Sequence, residues 1–162
     1  MHTNNIFFAK DVPGSGCETL ITCAADGRVV LTHVKTNTSQ QLHRHRGRAH
    51  RIAMIPGSPH QFYSCGEDGD CCFFDIRTPL KEFESLTARG SITGTGSSSA
   101  VLKTGFTDKR GSSCSIYAIG VNPLRSHEIA FCGATQHAAL YDVRQFGKPI
   151  SFLCPMHLAN SK

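Results

Sequence analysis

The sequence predicts an all-β fold made of tandem four-stranded units, and three observations support this. The 162 residues are 40% hydrophobic and 18% charged, which is the composition of one ordinary globular domain. The 15 glycines and 7 prolines favour short strands joined by turns over long helices. A unit of about 42 residues recurs three times, and this period is typical of β-propeller blades.

Three segments that align without a gap define the repeat. They are Thr22–Lys35, Ser64–Arg77 and Phe131–Arg144. Upstream of each segment, a pair of small or apolar residues precedes a proline with constant spacing, at Pro13, Pro56 and Pro123. These prolines are 43 and 67 residues apart. The last interval therefore contains an insertion of about 25 residues beyond one blade.

Blade one is predicted over about residues 2–41. Its first strand precedes Pro13, and its second strand covers Ile21–Ala24. Asp26-Gly27 predicts a hairpin in which both central residues have positive φ. The β-branched residues that follow, Val29 and Val30, predict the third strand, and 40–44 is the predicted outer strand.

Blade two is predicted over residues 42–86 and blade three over 114–153. Their second strands are Phe62–Gly66 and Ile129–Gly133, and Asp68-Gly69 repeats the hairpin signal. The predicted outer strands are 81–85 and 149–153. Residues 87–113 between the blades are rich in Gly, Ser and Thr, which predicts a flexible insertion.

Several classes of protein are disfavoured by what the sequence lacks. No apolar run reaches the roughly 18 residues of a membrane span, and the N-terminus has no secretory h-region. We therefore expect no membrane partner, a location in the cytosol or nucleus, and eight reduced cysteines. Cys23, Cys65 and Cys132 share one repeat position, where a buried small residue explains them. No cysteine belongs to a CxxC pair, so neither metal nor cofactor is expected.

Catalysis is not expected either. No motif surrounds any cysteine or histidine as a nucleophile pair would require, and the glycines at 94–96 lack the Lys-Ser/Thr of a phosphate-binding loop. Asp68, beside Glu67, is already explained by the turn. The sequence predicts a non-enzymatic protein.

One spacing pattern in the sequence resembles the WD repeat. It consists of a histidine, a proline eleven residues later, an Asp-Gly pair and a closing aromatic-Asp pair. His2 to Pro13 and His45 to Pro56 keep this spacing. The resemblance implies a hydrogen-bond network in each of the first two blades, comprising His2, Thr22 and Asp26, then His45, Ser64 and Asp68. Blade three breaks the pattern with Ser112, Phe131 and Thr135, and the usual tryptophan is replaced by Thr32, Phe74 and Tyr141.

Four segments resemble the WD-repeat substrate receptors of cullin-4 RING ubiquitin ligases. They are HTNNIFFAKDVP, RHRGRAHRIAMIPGSPHQFYSCGEDG, FFDIRTP and ALYDVR. The group is that of cullin-4-associated factor eight and the WD and tetratricopeptide repeat protein. The resemblance implies docking on the ligase adaptor through the aromatic-Asp-x-Arg endings of two blades. Here these supply Asp75 with Arg77, and Asp142 with Arg144. Blade one ends without the motif.

Two alternatives stay open. Each arginine could pair only with the aspartate of its own blade instead of docking. The segment HRHRGRAHR holds a basic cluster that could bind nucleic acid or acidic chromatin peptides, formed by Arg44, Arg46, Arg48 and Arg51. No aromatic residue interleaves this cluster in the sequence, so a solvated loop also explains it.

Three blades do not close a propeller, which needs about seven in this family. We therefore expect an incomplete propeller, a fragment of a longer receptor. The start at Met1-His2, where a Gly-His pair begins a typical blade, favours the same interpretation. The sequence identifies no protein substrate.

Overall fold

The computed structural model describes residues 1–77, 92–94, 99–104, 106, 112–145 and 148–154. These residues form three antiparallel sheets, and the helical content of this part of the chain is one 3-10 turn at Val143–Gln145. The predicted all-β class and the three tandem blades are confirmed. Across the described ranges, no helix is long and apolar enough to cross a bilayer.

The first sheet contains four strands in chain order. They are β1 (Ile6–Asp11), β2 (Thr19–Ala24), β3 (Arg28–His33) and β4 (Thr38–Arg44). Short turns connect them, so each strand pairs with its successor. The outer strand begins two residues before the predicted start and ends at the predicted Arg44.

The second sheet contains five strands. They are β5 (Ala49–Ile55), β6 (Ser58–Gly66), β7 (Asp70–Asp75), β8 (Ile92–Gly94) and β9 (Ser99–Lys103). Their spatial order is β5, β6, β7, β9, β8, so β9 occupies the fourth position and β8 the edge.

The third sheet again contains four strands in chain order. They are β10 (Ile116–Val121), β11 (Glu128–Gly133), β12 (Ala138–Asp142) and β13 (Ser151–Leu153). The outer strand β13 lies within the range 149–153 that the sequence predicts.

The outer part of the second blade differs from the sequence expectation. Strand β9 pairs with β7 from Asp70↔Lys103 to Phe74↔Ser99, in the position that the sequence assigns to residues 81–85. Residues 81–85 lie outside the described residues. Strands β8 and β9 both fall within 87–113, which composition predicts to be a flexible insertion. The reason is the apolar pair Val101 and Leu102, which are only 5% and 7% exposed.

The two Asp-Gly turns also differ in detail from the prediction. Gly27 and Gly69 have φ of 77° and 74°, whereas Asp26 and Asp68 are not in the left-handed region. The N–H of Gly27 donates to the Ala24 carbonyl at 3.0 Å. This is a type I turn followed by a left-handed glycine, which needs positive φ at only one residue.

Two apolar cores lie between the blades, and alternation along the middle sheet supplies both. On β7, Cys72 and Phe74 join the core shared with the first sheet, whereas Cys71 packs into the core shared with the third sheet. On β9, Val101 and Leu102 divide in the same way. The middle sheet is therefore covered on both faces.

The equivalent cysteines do not share one environment. Cys23 and Cys65 are fully buried, as expected, but Cys132 is exposed, so the buried small-residue explanation is wrong for Cys132. Burial raises the pKa of Cys65 to about 12. Its thiol is therefore protonated near neutral pH and is a poor nucleophile.

Candidate functional site

The third strand of the second sheet ends in a closed pair between Asp75 and Arg77. The guanidinium donates from Nε to Asp75 Oδ1 at 3.0 Å and from Nη2 to Oδ2 at 2.7 Å. The backbone N–H of Arg77 donates to the same carboxylate at 3.0 Å, and Gln61 Nε2 donates at 2.9 Å. The carboxylate thus fixes both the side chain and the chain direction after β7.

The third sheet repeats this geometry. Arg144 lies in the 3-10 turn after β12 and donates from Nε to Asp142 Oδ1 at 2.9 Å and from Nη2 to Oδ2 at 2.6 Å. Its backbone N–H also donates to Asp142 at 2.9 Å. We call these two pairs the Asp-Arg forks. The first sheet ends differently, with Lys35 paired to Glu18.

The forks are presented at the surface. The arginine side chains are 59% and 66% exposed, whereas Asp75 and Asp142 are only 11% and 18% exposed. Since Nε and Nη2 face the carboxylate, the remaining edge and the planar faces of each guanidinium are directed to solvent. The structure therefore shows each arginine paired with the aspartate of its own blade, and this pairing leaves more than half of each side chain exposed.

Both carboxylates of the forks are ionised at neutral pH. The side-chain hydrogen bond from Arg77 holds the pKa of Asp75 well below its usual range. The side-chain hydrogen bond from Arg144, with the backbone N–H of the same residue, lowers the pKa of Asp142 to about 2. Each fork is thus a neutral ion pair with directional donors left over.

The predicted blade networks lie at the opposite ends of the sheets. His45 Nδ1 lies 3.0 Å from Asp68 Oδ1, and its Nε2 lies 2.8 Å from the Ser64 hydroxyl. In the first sheet, His2 Nδ1 lies 3.2 Å from Asp26 Oδ1, and its Nε2 lies 2.8 Å from Thr22 Oγ1. The structure brings all six residues together as two triads. Each triad ties the segment entering a blade to its hairpin turn.

Blade three has no such triad at the corresponding residues, as its sequence predicts. Phe131 is fully buried and contacts Tyr141 edge to face, with ring centroids 5.3 Å apart. Thr135 Oγ1 donates to the His137 carbonyl at 2.9 Å, within its own turn, and Ser112 is exposed. Aromatic packing replaces the polar triad at this position.

Comparison with known proteins finds several relatives, although no family model matches. Human DDB1- and CUL4-associated factor 6 is 38% identical over 80 residues, which are 47% of this chain and 9% of that protein. Human WD and tetratricopeptide repeats protein 1 is 31% identical over 144 residues, which are 88% of this chain and 19% of the relative. Protein ALTERED SEED GERMINATION 2 of Arabidopsis thaliana is 27% identical over 192 residues, and the match covers 98% of this chain and 24% of that protein.

The chain belongs to the WD-repeat family of these relatives. It spans about a quarter or less of the length of the curated relatives it matches. The resemblance stated from sequence motifs is confirmed at the level of the family. The triads at His2 and His45 are the local geometry that the WD spacing of these blades implies.

In the basic cluster of this WD-repeat chain, two of the four arginines lie beside a carboxylate. Arg44, Arg46 and Arg48 line an open cavity of about 510 Å³ that Asp26 and Glu67 also line. Arg46 Nη2 lies 3.3 Å from Asp70, and Arg48 Nη1 lies 4.0 Å from Glu67. Separately, the Arg51 guanidinium lies 4.5 Å above the ring of Phe8. Three of the four arginines therefore share one surface, and carboxylates partly offset the charge there.

Sequence reasoning missed a row of aromatic rings in this WD-repeat chain. Phe7, His50 and Tyr117 occupy one repeat position on the first strands of the three sheets. The rings of Phe7 and His50 stack at 5.2 Å, and those of His50 and Tyr117 meet edge to face at 5.0 Å. Phe7 and Tyr117 are 41% and 46% exposed. The repeat alignment contains the signal for this row. Ile6, Ala49 and Ile116 align with one another, and an aromatic ring directly follows each of them.

Proposed function

We propose that this chain is a non-enzymatic interaction module that docks on the adaptor of a cullin-4 RING ubiquitin ligase through Arg77 and Arg144. The observation that carries the proposal is the pair of matching Asp-Arg forks, presented by successive sheets with more than half of each arginine exposed. The printed name of one relative, DDB1- and CUL4-associated factor 6, supports the choice of partner.

The forks suit docking for a physical reason. A guanidinium held by two hydrogen bonds has already lost most of its rotamer freedom, so binding a partner costs less entropy. Its free edge can donate to a carbonyl or carboxylate, and its face can stack on an aromatic ring. Lysine in the same position has neither the fork geometry nor the planar face.

The aromatic row is the surface that we assign to a protein substrate. Strand pairing places Ala49 opposite Gly66, whereas Asp75 lies opposite Gln61 at the other end of β6. His50 and the Asp75 fork are therefore at opposite ends of the second sheet. An adaptor bound at the forks leaves the exposed rings of Phe7 and Tyr117 open to a second protein.

The test is capture of the chain by purified cullin-4 adaptor. We expect the double variant Arg77→Ala/Arg144→Ala to lose at least tenfold in affinity, since exposed arginines at interface centres are common hot spots. Replacing both by lysine is expected to restore little of the loss, because the charge remains but the fork does not.

The matched control is Arg125→Ala. Arg125 lies in the connection between β10 and β11 and is 66% exposed, like Arg144. It also pairs with a carboxylate, Glu128 at 2.9 Å, but through one hydrogen bond and not through a fork. Its loss is expected to leave capture unchanged. Capture of the double variant at wild-type affinity contradicts docking through the forks, provided that its circular dichroism matches the wild type.

A second assay, binding of single-stranded DNA, separates the nucleic-acid alternative. Because Asp70 and Glu67 offset Arg46 and Arg48, we expect weak binding of single-stranded DNA. A nucleic-acid module loses affinity steeply between about 50 and 200 mM salt. Tight DNA binding with that salt dependence, abolished by Arg44→Ala/Arg46→Ala, favours the alternative over adaptor docking.

A further inference from the structure

Two histidines and one cysteine converge between the first and second sheets, away from the forks. His43 is the penultimate residue of β4, His45 follows the strand end, and Cys72 lies on β7. Side chains at i and i+2 of an extended chain point to the same side. One ring nitrogen of each histidine and the Cys72 sulfur all lie within 4.8 Å of one another.

His45 is already oriented as a metal-binding histidine is. His45 Nδ1 lies 3.0 Å from Asp68 Oδ1, within hydrogen-bond distance of the carboxylate. Its Nε2 lies 2.8 Å from the Ser64 hydroxyl, so Nε2 is the ring nitrogen on the side away from Asp68. A carboxylate on the far nitrogen of a ligating imidazole fixes its tautomer and raises its basicity.

His43 lies partly buried beside His45, and the two rings meet edge to face with their centroids 5.1 Å apart. Cys72 is fully buried in the apolar core that includes Leu42 and Phe74. Thiolate and imidazole are the ligands that zinc-class ions prefer, and an apolar shell strengthens such bonds.

We propose that His43, His45 and Cys72 bind one zinc-class divalent ion, with the Ser64 hydroxyl or a water as fourth ligand. Binding forms two metal–nitrogen bonds and one metal–sulfur bond, and the Cys72 proton is released to solvent. The ion's two positive charges are balanced by the thiolate and by Asp68, so no uncompensated charge is buried. The Ser64 hydrogen bond to Nε2 is exchanged for the metal bond.

The ion links two blades. His43 belongs to the outer strand of the first sheet, and Cys72 belongs to the third strand of the second sheet. Three ligands from both sheets therefore cross-link strands that also pack against each other in this core. This inference does not depend on adaptor docking.

The probe is Co²⁺, because its spectrum reports thiolate ligation directly. The full chain is refolded from denaturant with reductant and one equivalent of Co²⁺. We expect one Co²⁺ ion per chain, with a sulfur-to-cobalt charge-transfer band and tetrahedral d–d absorption. Adding Zn²⁺ is expected to displace the Co²⁺ and so to remove both absorption features. Cys72→Ser is expected to remove the charge-transfer band, and His43→Phe to weaken Co²⁺ binding at least tenfold.

Matched controls separate this site from adventitious binding. Cys132→Ser and His33→Asn alter an exposed cysteine and an exposed histidine, and both are expected to keep the full spectrum. A charge-transfer band that survives Cys72→Ser, or that disappears with Cys132→Ser, overturns the proposal. If Cys72→Ser does not fold, the wild type decides: absence of the band and of a Zn²⁺-dependent rise in Tm overturns it.

Discussion

At the residue scale, the two triads depend on the ionisation of their aspartates. Asp68 accepts from His45 Nδ1 and from the backbone N–H groups of Arg46 and Asp70. Burial of Asp68 acts to raise its pKa, but these hydrogen bonds and the His45 charge outweigh burial and lower the pKa to about 2. The carboxylate is thus stabilised in its charged form.

The stability of the chain is therefore expected to fall in acid. Because the folded-state pKa of Asp68 is lowered, its contribution is fully present above the unfolded value of about 3.9 and is lost as pH falls towards about 2. The lost free energy of unfolding is on the order of 2 kcal/mol. Urea unfolding measured between about pH 5 and 2, the window set by the unfolded and folded pKa values of Asp68, measures this loss.

The Asp68→Asn variant isolates this contribution. It keeps the shape of the side chain but cannot charge, so we expect lower stability at pH 7 and a shallower decline in acid. The difference between the two unfolding curves should vanish near pH 2, roughly at the folded-state pKa. An acid decline of equal steepness in wild type and variant contradicts the assignment to Asp68.

Sequence spacing predicted which residues form the triads but not all contacts of the same side chains. His45 could be placed by the interval to Pro56, because a fixed spacing along one blade determines that position. The proximity of His43 to Cys72 could not be predicted in this way, because the two residues belong to different sheets. Pairs from different blades leave no regular interval in the sequence.

At the element scale, the hairpin turn between β2 and β3 depends on Gly27. A Cβ at this position would lie 2.6 Å from the carbonyl oxygens of His45 and Gly47, and φ is 77°. Gly57 has the same φ of 77° but has nothing within 4 Å of an added Cβ. The two glycines therefore share the backbone conformation and differ in the room available for a side chain.

We expect Gly27→Ala to destabilise the chain more than Gly57→Ala does. The Gly57 variant carries the left-handed strain alone, about 1 kcal/mol, whereas Gly27→Ala adds the clash with two backbone carbonyls and should cost at least about twice that. Thermal or urea unfolding of both variants measures the difference. Equal costs would show that the approach of the His45 segment to this turn is not tight.

The outer strand of the second blade gives a further test at this scale. Leu102 on β9 is 7% exposed and packs in the core shared with the third sheet. Leu102→Ala is expected to cost about 2–5 kcal/mol, as for other buried leucines. Leu153→Ala on β13 is the control, since Leu153 is 58% exposed, and should cost less than about 0.5 kcal/mol.

The Leu102 result distinguishes the structure from the sequence expectation. If residues 87–113 were a flexible insertion, removing Leu102 would leave stability unchanged. Composition could not show that Ser99–Lys103 returns to pair with β7, because Gly and Ser around it dominate any local average. Pairing between distant segments is decided by the whole sheet and not by local propensity.

At the scale of the whole molecule, the repeat predicted the architecture because each sheet is one sequence unit. The packing between units follows from strand alternation: on β7, Cys71 and Cys72 enter different cores. The middle sheet contributes to both cores, whereas the first and third sheets each contribute to one. On the other face of the first sheet, Ile6, Leu20 and Val30 line an open cavity of about 390 Å³.

Protection of the backbone amides should follow this asymmetry. In repeat proteins, stability is a sum of unit terms and neighbour interfaces, so the unit with two interfaces opens least often. We expect the slowest hydrogen exchange in β6 and β7, intermediate exchange in β2 and β11, and the fastest in β13, whose three residues are all exposed. Native-state hydrogen exchange read by NMR, at several low urea concentrations, resolves these classes.

Phe62→Ala, in the core with the first sheet, should speed exchange in β2 more than in β11, because β11 belongs to the other core. Equal protection of all three sheets, or equal acceleration of β2 and β11, would show that the chain opens as one cooperative unit instead of blade by blade.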